Sequence, residues 1–163
     1  MIQKVKLTTR TGKKVVGSRI TVSSDFPSNI ENIWTKIQDV NTLREITKPK
    51  ASFISCGNSP ILWKEGNSFV FKLFLHGFIP VGKHTINVVK MDKVSREIDT
   101  EEYNKTVIIW NHYIKMEEVN SNVTRYTDVV DLYAGNLTSI AAWWTLKFYM
   151  HRQRKWQKIA KSL

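Results

Sequence analysis

From Asn136 to Leu163 the chain reads NLTSIAAWWTLKFYMHRQRKWQKIAKSL, with no glycine or proline, directly after Gly135. A run this long without either helix breaker predicts one long α-helix. Asn136 is placed to cap it, because a short polar side chain can accept a hydrogen bond from a free N–H of the first turn. At about 100° per residue, Ala141, Thr145, Phe148, Tyr149, Arg152, Trp156 and Ile159 share one broad face, with Trp144 and His151 at its margin. Lys147, Arg154, Lys158 and Lys161 gather on the far side. Arg152 therefore sits inside an apolar face, where a charge needs a partner. Two readings stay open. In the favoured one its stem packs among the aromatics and its guanidinium reaches water or an Asp; in the other it faces a cavity and meets an acidic or polar ligand.

Ahead of the helix the apolar period changes. Residues 1 to 15 read as a polar, basic lead-in, loosely attached or the end of a frayed strand. VVGSRITVS, from Val16 to Ser24, alternates as a half-buried strand does. DFPSNIENIWTKIQDV follows, with Pro27 in a first helical turn and Ile30, Ile33, Trp34 and Ile37 at helical spacing; NTLREI reads as a second short helix. Pro49 closes this region. KASFISC is then a strand before a turn at GNSP, WKEGN is another turn, and SFVFKLFLHGFI and GKHTINVVKM are two apolar strands joined at Pro80 and Gly82. SREIDTEE is a more polar strand, and VIIWNHYIKMEEV and TRYTDVVDLYA pair across Asn120-Ser121-Asn122. Consecutive strands with short connections predict an antiparallel sheet, and the segregated helices predict an α+β layout. No repeat or linker divides the 163 residues, so one domain over 1–163 is expected.

Composition excludes several classes. A hydrophobic fraction of 42% with 6 Trp, 5 Tyr and 7 Phe is a globular composition. The single Cys56 excludes an intramolecular disulfide and a multi-cysteine zinc site, which fits a reducing compartment. The first residues lack the apolar core of a secretory signal, and SIAAWWTLKFYM is too short to span a bilayer, so a cytoplasmic location is expected. The net charge of +11 would attract anionic partners, but the basic residues are scattered apart from Lys13 with Lys14 and the segment from Arg152 to Lys161. There is no phosphate-binding glycine loop, nucleophile elbow or paired-carboxylate motif, which removes the common hydrolase and NTPase readings.

Three passages carry a resemblance. ITVSSDFPSNIENIWTKIQDV resembles the opening of the START and birch-pollen-allergen-like (SRPBCC) helix-grip superfamily, in which a strand runs into a Pro-bearing helix with an Ile-Trp pair and then an Asp. WKEGNSFVF resembles its Gly-turn between strands, and the terminal helix ends in a similar basic, Trp-bearing run. The match spans about residues 17 to 162; it departs at REITKPKASF, which lacks the Trp-Pro-like ending of bacterial relatives. What the resemblance implies is a helix-grip fold: a curved antiparallel sheet of about six or seven strands around the long C-terminal helix, two short helices after the first strand, and a largely apolar cavity between sheet and helix. It also implies a hydrophobic ligand such as a lipid, sterol or polyketide, with cyclases or dehydratases a minority.

Candidate residues follow from the strand faces. Ile108, Trp110, His112, Ile114 and Met116 share one face of their strand, and Tyr126, Asp128, Val130 and Leu132 share one face of the next. A turn centred near Asn120 puts His112 opposite Asp128, and a slip of one pair puts Asp128 opposite Ile114. The two are candidates for an acid–base pair, or for a structural pair in which Asp128 neutralises Arg152; the structural reading is favoured because buried charges must be paired in either case. His76 and His84 are expected at a strand-edge surface, and His151 in packing. No metal site and no cofactor is expected. Phe69, Phe71, Phe74, Phe78, Trp110, Trp144, Phe148, Tyr149 and Trp156 are either core or the lining of a pocket.

The expected ligand-binding set is Phe71, Trp110, His112, Asp128, Val130, Trp144, Phe148 and Arg152. The leading reading is non-catalytic binding of a hydrophobic or amphipathic small molecule or lipid. Two alternatives remain: a cyclase- or dehydratase-type enzyme using His112 and Asp128, and a binder of nucleic acid or an anionic surface through the basic helix face.

Overall fold

The computed structural model describes residues 1–57 and 60–163. Eight strands form one antiparallel sheet in the order β1-β2-β8-β7-β6-β5-β4-β3. The strands are β1 Ile2–Thr8, β2 Lys14–Phe26, β3 Ala51–Ser55, β4 Ser68–Leu75, β5 Ile79–Asp92, β6 Glu97–Tyr103, β7 Ile109–Asn120 and β8 Val123–Tyr133. Between β2 and β3 lie two short helices, α1 Ile30–Ile37 and α2 Val40–Thr47, and the long helix α3 Thr138–Ala160 follows β8. The strand count exceeds the six or seven expected because residues 2 to 8 are not a loose lead-in. They form β1, an edge strand paired with β2 from Ile2 opposite Ile20 to Thr8 opposite Lys14. Its basic, weakly apolar composition, which hides the strand in the sequence, suits an edge exposed to water.

The short helices start where their caps dictate. Asn29 accepts from the Asn32 backbone N–H at 2.9 Å and opens α1, so Pro27 lies ahead of that helix rather than in its first turn. Asp39 accepts from the Asn41 N–H at 2.8 Å and opens α2. The long helix starts differently from expectation. Asn136 is inside a single 3-10 turn, Gly135–Leu137, and α3 has no side-chain cap. Thr138 does the local work instead, its hydroxyl donating to the Gly135 carbonyl at 2.6 Å and accepting from the Ala134 N–H at 3.0 Å.

Two hairpins also correct the expected turns. The β4–β5 connection is the three residues His76-Gly77-Phe78, the first two with positive φ (51° and 80°) and the Phe78 N–H donating to the Leu75 carbonyl at 3.2 Å. Pro80 is already in β5, opposite Phe74, after a bulge at Leu73/Phe74. In the β7–β8 hairpin Asn120 pairs with Val123, and a bulge near Val119 sets the remaining register. His112 consequently lies opposite Val130, and Asp128 opposite Ile114. The direct His112–Asp128 register expected from a turn at Asn120 is wrong by one pair, because the turn falls at Ser121-Asn122 and the bulge shifts the ladder. Ile108 precedes β7 and is exposed, whereas Trp110, His112, Ile114 and Met116 are buried. The turn expected at Gly57 to Pro60 lies partly outside the described residues.

Packing places the cavity. α3 lies against β2, β8 and α2, reaches Trp110 and His112 of β7 through Tyr149, and stands away from β4 to β6. Two apolar clusters fill the flanks of this gap. One centres on Phe53, Phe69, Phe71, Trp110, Phe148 and Tyr149; the other, around α1, holds Phe26, Ile33, Trp34, Tyr126 and Trp156. In the second cluster Phe26 stacks on Tyr126 and Trp156, with ring centroids 4.9 and 5.8 Å apart, and closes one end of the space under α3.

Candidate functional site

The gap between α3 and the far half of the sheet is a cavity of about 510 Å³, within the usual range for small-molecule sites. Its walls are mostly apolar. They include Leu73 and Leu75 of β4, Val81 and Ile86 of β5, Trp110 and Ile114 of β7, and Trp144, Phe148 and Trp156 of α3. At the start of α3 the lining residues Leu137 and Ile140 are exposed, which makes this the mouth. At the other end Tyr126, Trp156 and Arg152 line the space and are buried.

One side of the wall is polar, and its groups form a continuous buried chain across four strands and the helix. Asn104 fixes its direction. Its Oδ1 accepts from the Thr106 and Val107 N–H groups at 2.8 and 2.7 Å, so its amide nitrogen faces His84 Nδ1, at 3.2 Å. Nδ1 must therefore accept, and His84 Nε2 donates to Glu102 Oε2 at 2.7 Å. Glu102 Oε1 accepts from the Thr100 hydroxyl at 2.9 Å and faces His112 Nδ1 at 3.7 Å. His112 Nε2 meets Asp128 Oδ1 at 2.7 Å, diagonally across the ladder. Gln153 of α3 then donates to Asp128 Oδ2 at 2.9 Å and to the Val22 carbonyl at 2.8 Å, and accepts from Ser24 at 2.6 Å.

The electrostatics follow from this chain. Burial pushes the Glu102 carboxyl up, but His112 and His84 together outweigh it and hold the carboxyl well below the usual range. Burial also opposes a charge on His112 more than any single neighbour supports it. Asp128 and Glu102 together reverse the balance and raise the imidazole above its ordinary 6.5. The carboxylates on either side of the His112 ring thus favour its charged form.

Arg152 stands beside this chain and outside it. It is 7% exposed, lines the cavity, and makes no salt bridge among the described residues. Its Nε is buried without a hydrogen-bond partner. The guanidinium lies over the Tyr149 ring at 4.4 Å and near the Phe148 ring at 5.8 Å. Burial works against its charge, but the groups around it, Tyr149 first and then Asp128, Tyr126 and Glu102, push the guanidinium above its ordinary value. Arg152 and Asp128 make no contact ion pair, and the oxygens of Asp128 are hydrogen-bonded by His112 and Gln153.

Of the expected ligand-binding residues, Trp110, His112, Trp144, Phe148 and Arg152 line the cavity. Phe71 and Val130 are in the core behind the wall, and Asp128 is screened by His112 and Gln153. His84 corrects the strand-edge expectation: it is buried and part of the polar chain, whereas His76 is exposed at its turn. Glu102 and Gln153 were not anticipated. The signal for Glu102 is alternation in EIDTEEY, which places Ile98, Thr100 and Glu102 on one face. The signal for Gln153 is helical spacing, four residues after Tyr149 and three before Trp156, which places it at the margin of the buried face of α3. His151 is partly buried and faces the Lys48 carbonyl at 2.9 Å. Outside the cavity, His151, Arg154, Lys155, Lys158 and Lys161 flank a second, shallow groove on the outer face of α3.

No family model matches the chain, and no curated protein matches it by sequence. Solved structures do match. A START superfamily protein from Mycobacterium smegmatis superposes with a TM-score of 0.67 at 9% identity, over 88% of this chain and 97% of that one. Ara h 8.0201 gives a TM-score of 0.66 at 10% identity, over 89% of this chain and 98% of its own. The chain has the START-like helix-grip fold. A Helicobacter pylori protein of the same shape gives a TM-score of 0.69 at 10% identity, over 87% of each chain. At such identities the likeness lies in the fold: an open antiparallel sheet gripping a C-terminal helix. The helix-grip frame explains why the cavity lies where α3 leaves β4 to β6. Among the described residues no helix is long and apolar enough to cross a membrane, and no cluster of three or more His, Cys, Asp or Glu could hold a metal ion.

Proposed function

We propose that this protein binds a hydrophobic or amphipathic small molecule or lipid in the cavity between its sheet and α3, residues 1–163 acting as one domain in the cytoplasm. The observation that carries the reading is a cavity of about 510 Å³ with predominantly apolar walls and an exposed mouth at Leu137 and Ile140. Trp110, His112, Trp144, Phe148 and Arg152 are the residues assigned to ligand contact. A catalytic use of His112 is disfavoured by its surroundings: both ring nitrogens face carboxylates, so neither offers a lone pair to a substrate. Solvent extraction of the purified protein followed by mass spectrometry should release a stoichiometric apolar or amphipathic compound. A protein that releases none, and that fails to bind a neutral apolar fluorophore, does not have this function.

A second reading rests on the basic groove flanked by Arg154, Lys155, Lys158 and Lys161. A nucleic acid or another anionic surface docked there would release counterions, so its affinity should fall steeply as salt rises. Binding to a DNA oligonucleotide that is absent at low salt, or insensitive to salt, eliminates this reading.

A further inference from the structure

The cavity has a direction, and polar groups at its closed end lack hydrogen-bond partners. Arg152 Nε, Trp156 Nε1 and the Tyr126 hydroxyl are all buried there without a partner among the described residues. Arginine and tryptophan nitrogens can only donate. Neither neighbouring carboxylate bonds Arg152: Asp128 is hydrogen-bonded by His112 and Gln153, and Glu102 by His84 and Thr100. Counting His112 as imidazolium, Arg152, His112, Glu102 and Asp128 sum to zero, so Arg152 does not lack charge compensation at long range. What it lacks is an acceptor in contact, which a buried guanidinium requires.

Resting on the binding function proposed above, we infer that the ligand is an amphipathic carboxylic acid held head-inward, with its carboxylate on Arg152 and its apolar tail running beside α3 to the mouth. A carboxylate presents two oxygens in the plane that the guanidinium fork matches, and it supplies the negative charge that makes such bonds strong. From Arg152 to Ile140 the helix rises about 18 Å at 1.5 Å per residue, past the apolar Phe148 and Trp144. That path suits an extended hydrocarbon chain. The aromatic plug of Phe26, Tyr126 and Trp156 blocks passage beyond Arg152, so the polar head is the end that stops there.

The test displaces a neutral apolar fluorophore, N-phenylnaphthylamine, with dodecanoic acid, its methyl ester and dodecanol, using the full chain and Arg152→Met. The acid should compete at concentrations about tenfold or more below the ester and alcohol, and in Arg152→Met the acid and the ester should compete equally, each read relative to the variant's own affinity for the fluorophore. Equal competition by acid and ester in the unmodified protein overturns the inference, and so does an acid preference that survives Arg152→Met. If the fluorophore binds and the acid is not preferred, only the inference fails; if the fluorophore does not bind, the binding function fails with it. Should Arg152→Met not fold, dodecanoic acid labelled with carbon-13 at its carboxyl decides. A head on Arg152 stays ionised well below the pH at which the free acid titrates, and a carboxyl titrating like the free acid overturns the inference.

Discussion

Arg152 and Asp128 carry opposite charges close to one cavity, yet the structure gives them different obligations. Asp128 is a carboxylate with both oxygens hydrogen-bonded, so Asp128→Asn removes the charge that holds His112 and should destabilise the fold by about 3 kcal/mol. Arg152 has no such bond to lose. Replacing a buried cation that lacks a contact partner by an apolar side chain of similar length is commonly neutral or stabilising, against which stands the contact with Tyr149. Arg152→Met should therefore leave the unliganded protein within about 1 kcal/mol of the original. In a double-mutant cycle read by urea denaturation the two changes should couple by less than about 1 kcal/mol. Coupling of several kcal/mol would show that the two side chains form a direct pair in solution.

At the scale of elements, the sheet depends on a close approach that only glycine permits. Gly17 in β2 faces the Leu7 side chain of β1, and a Cβ added there would lie 2.6 Å from the Leu132 carbonyl oxygen of β8. The carbonyl belongs to a strand ladder and cannot rotate away. Gly17→Ala should accordingly destabilise by about 1–3 kcal/mol, the ordinary cost of overpacking, and amide exchange in β1 should accelerate more than in β6. Unchanged protection in β1 would mean that the edge strand yields without loss. The β7–β8 hairpin shows the complementary case, where a bulge near Val119 shifts the ladder by one residue, puts Asp128 opposite Ile114 instead of Lys115, and so brings His112 and Asp128 onto one face in diagonal contact.

For the molecule as a whole, the buried polar chain ties its stability to pH. The folded state raises the His112 imidazole above 6.5, so its stabilising contribution is complete below that value and is lost as pH rises through the higher folded value. Glu102 acts with the opposite sign: its carboxyl is lowered from 4.5, and its contribution is present above 4.5 and lost as pH falls toward the folded value. Between these limits both are intact. The melting temperature of the unmodified protein relative to His112→Gln should therefore decline as pH is raised from 6.5 into the alkaline range. A difference that grows with alkalinity would mean that His112 is buried as the neutral ring.

The sequence by itself determined those features that depend on neighbours along the chain. Period-2 alternation set the faces of β7 and β8, helical spacing set the buried side of α3, and turn residues set most strand boundaries, from which an antiparallel sheet in an α+β layout followed; the helix-grip arrangement was implied by the family resemblance. It also marked Arg152 as a charge inside an apolar face. Tertiary structure decided what depends on residues distant in sequence. Whether residues 2 to 8 are strand or tail is settled by pairing with β2, and the partner of Asp128 by a bulge ten residues away. That His84, Glu102, His112, Asp128 and Gln153 join in one chain follows from four strands and a helix converging. Hydrogen bonds of this kind are set by approaches of a few ångströms between elements, and residue type and spacing along one strand do not encode those distances.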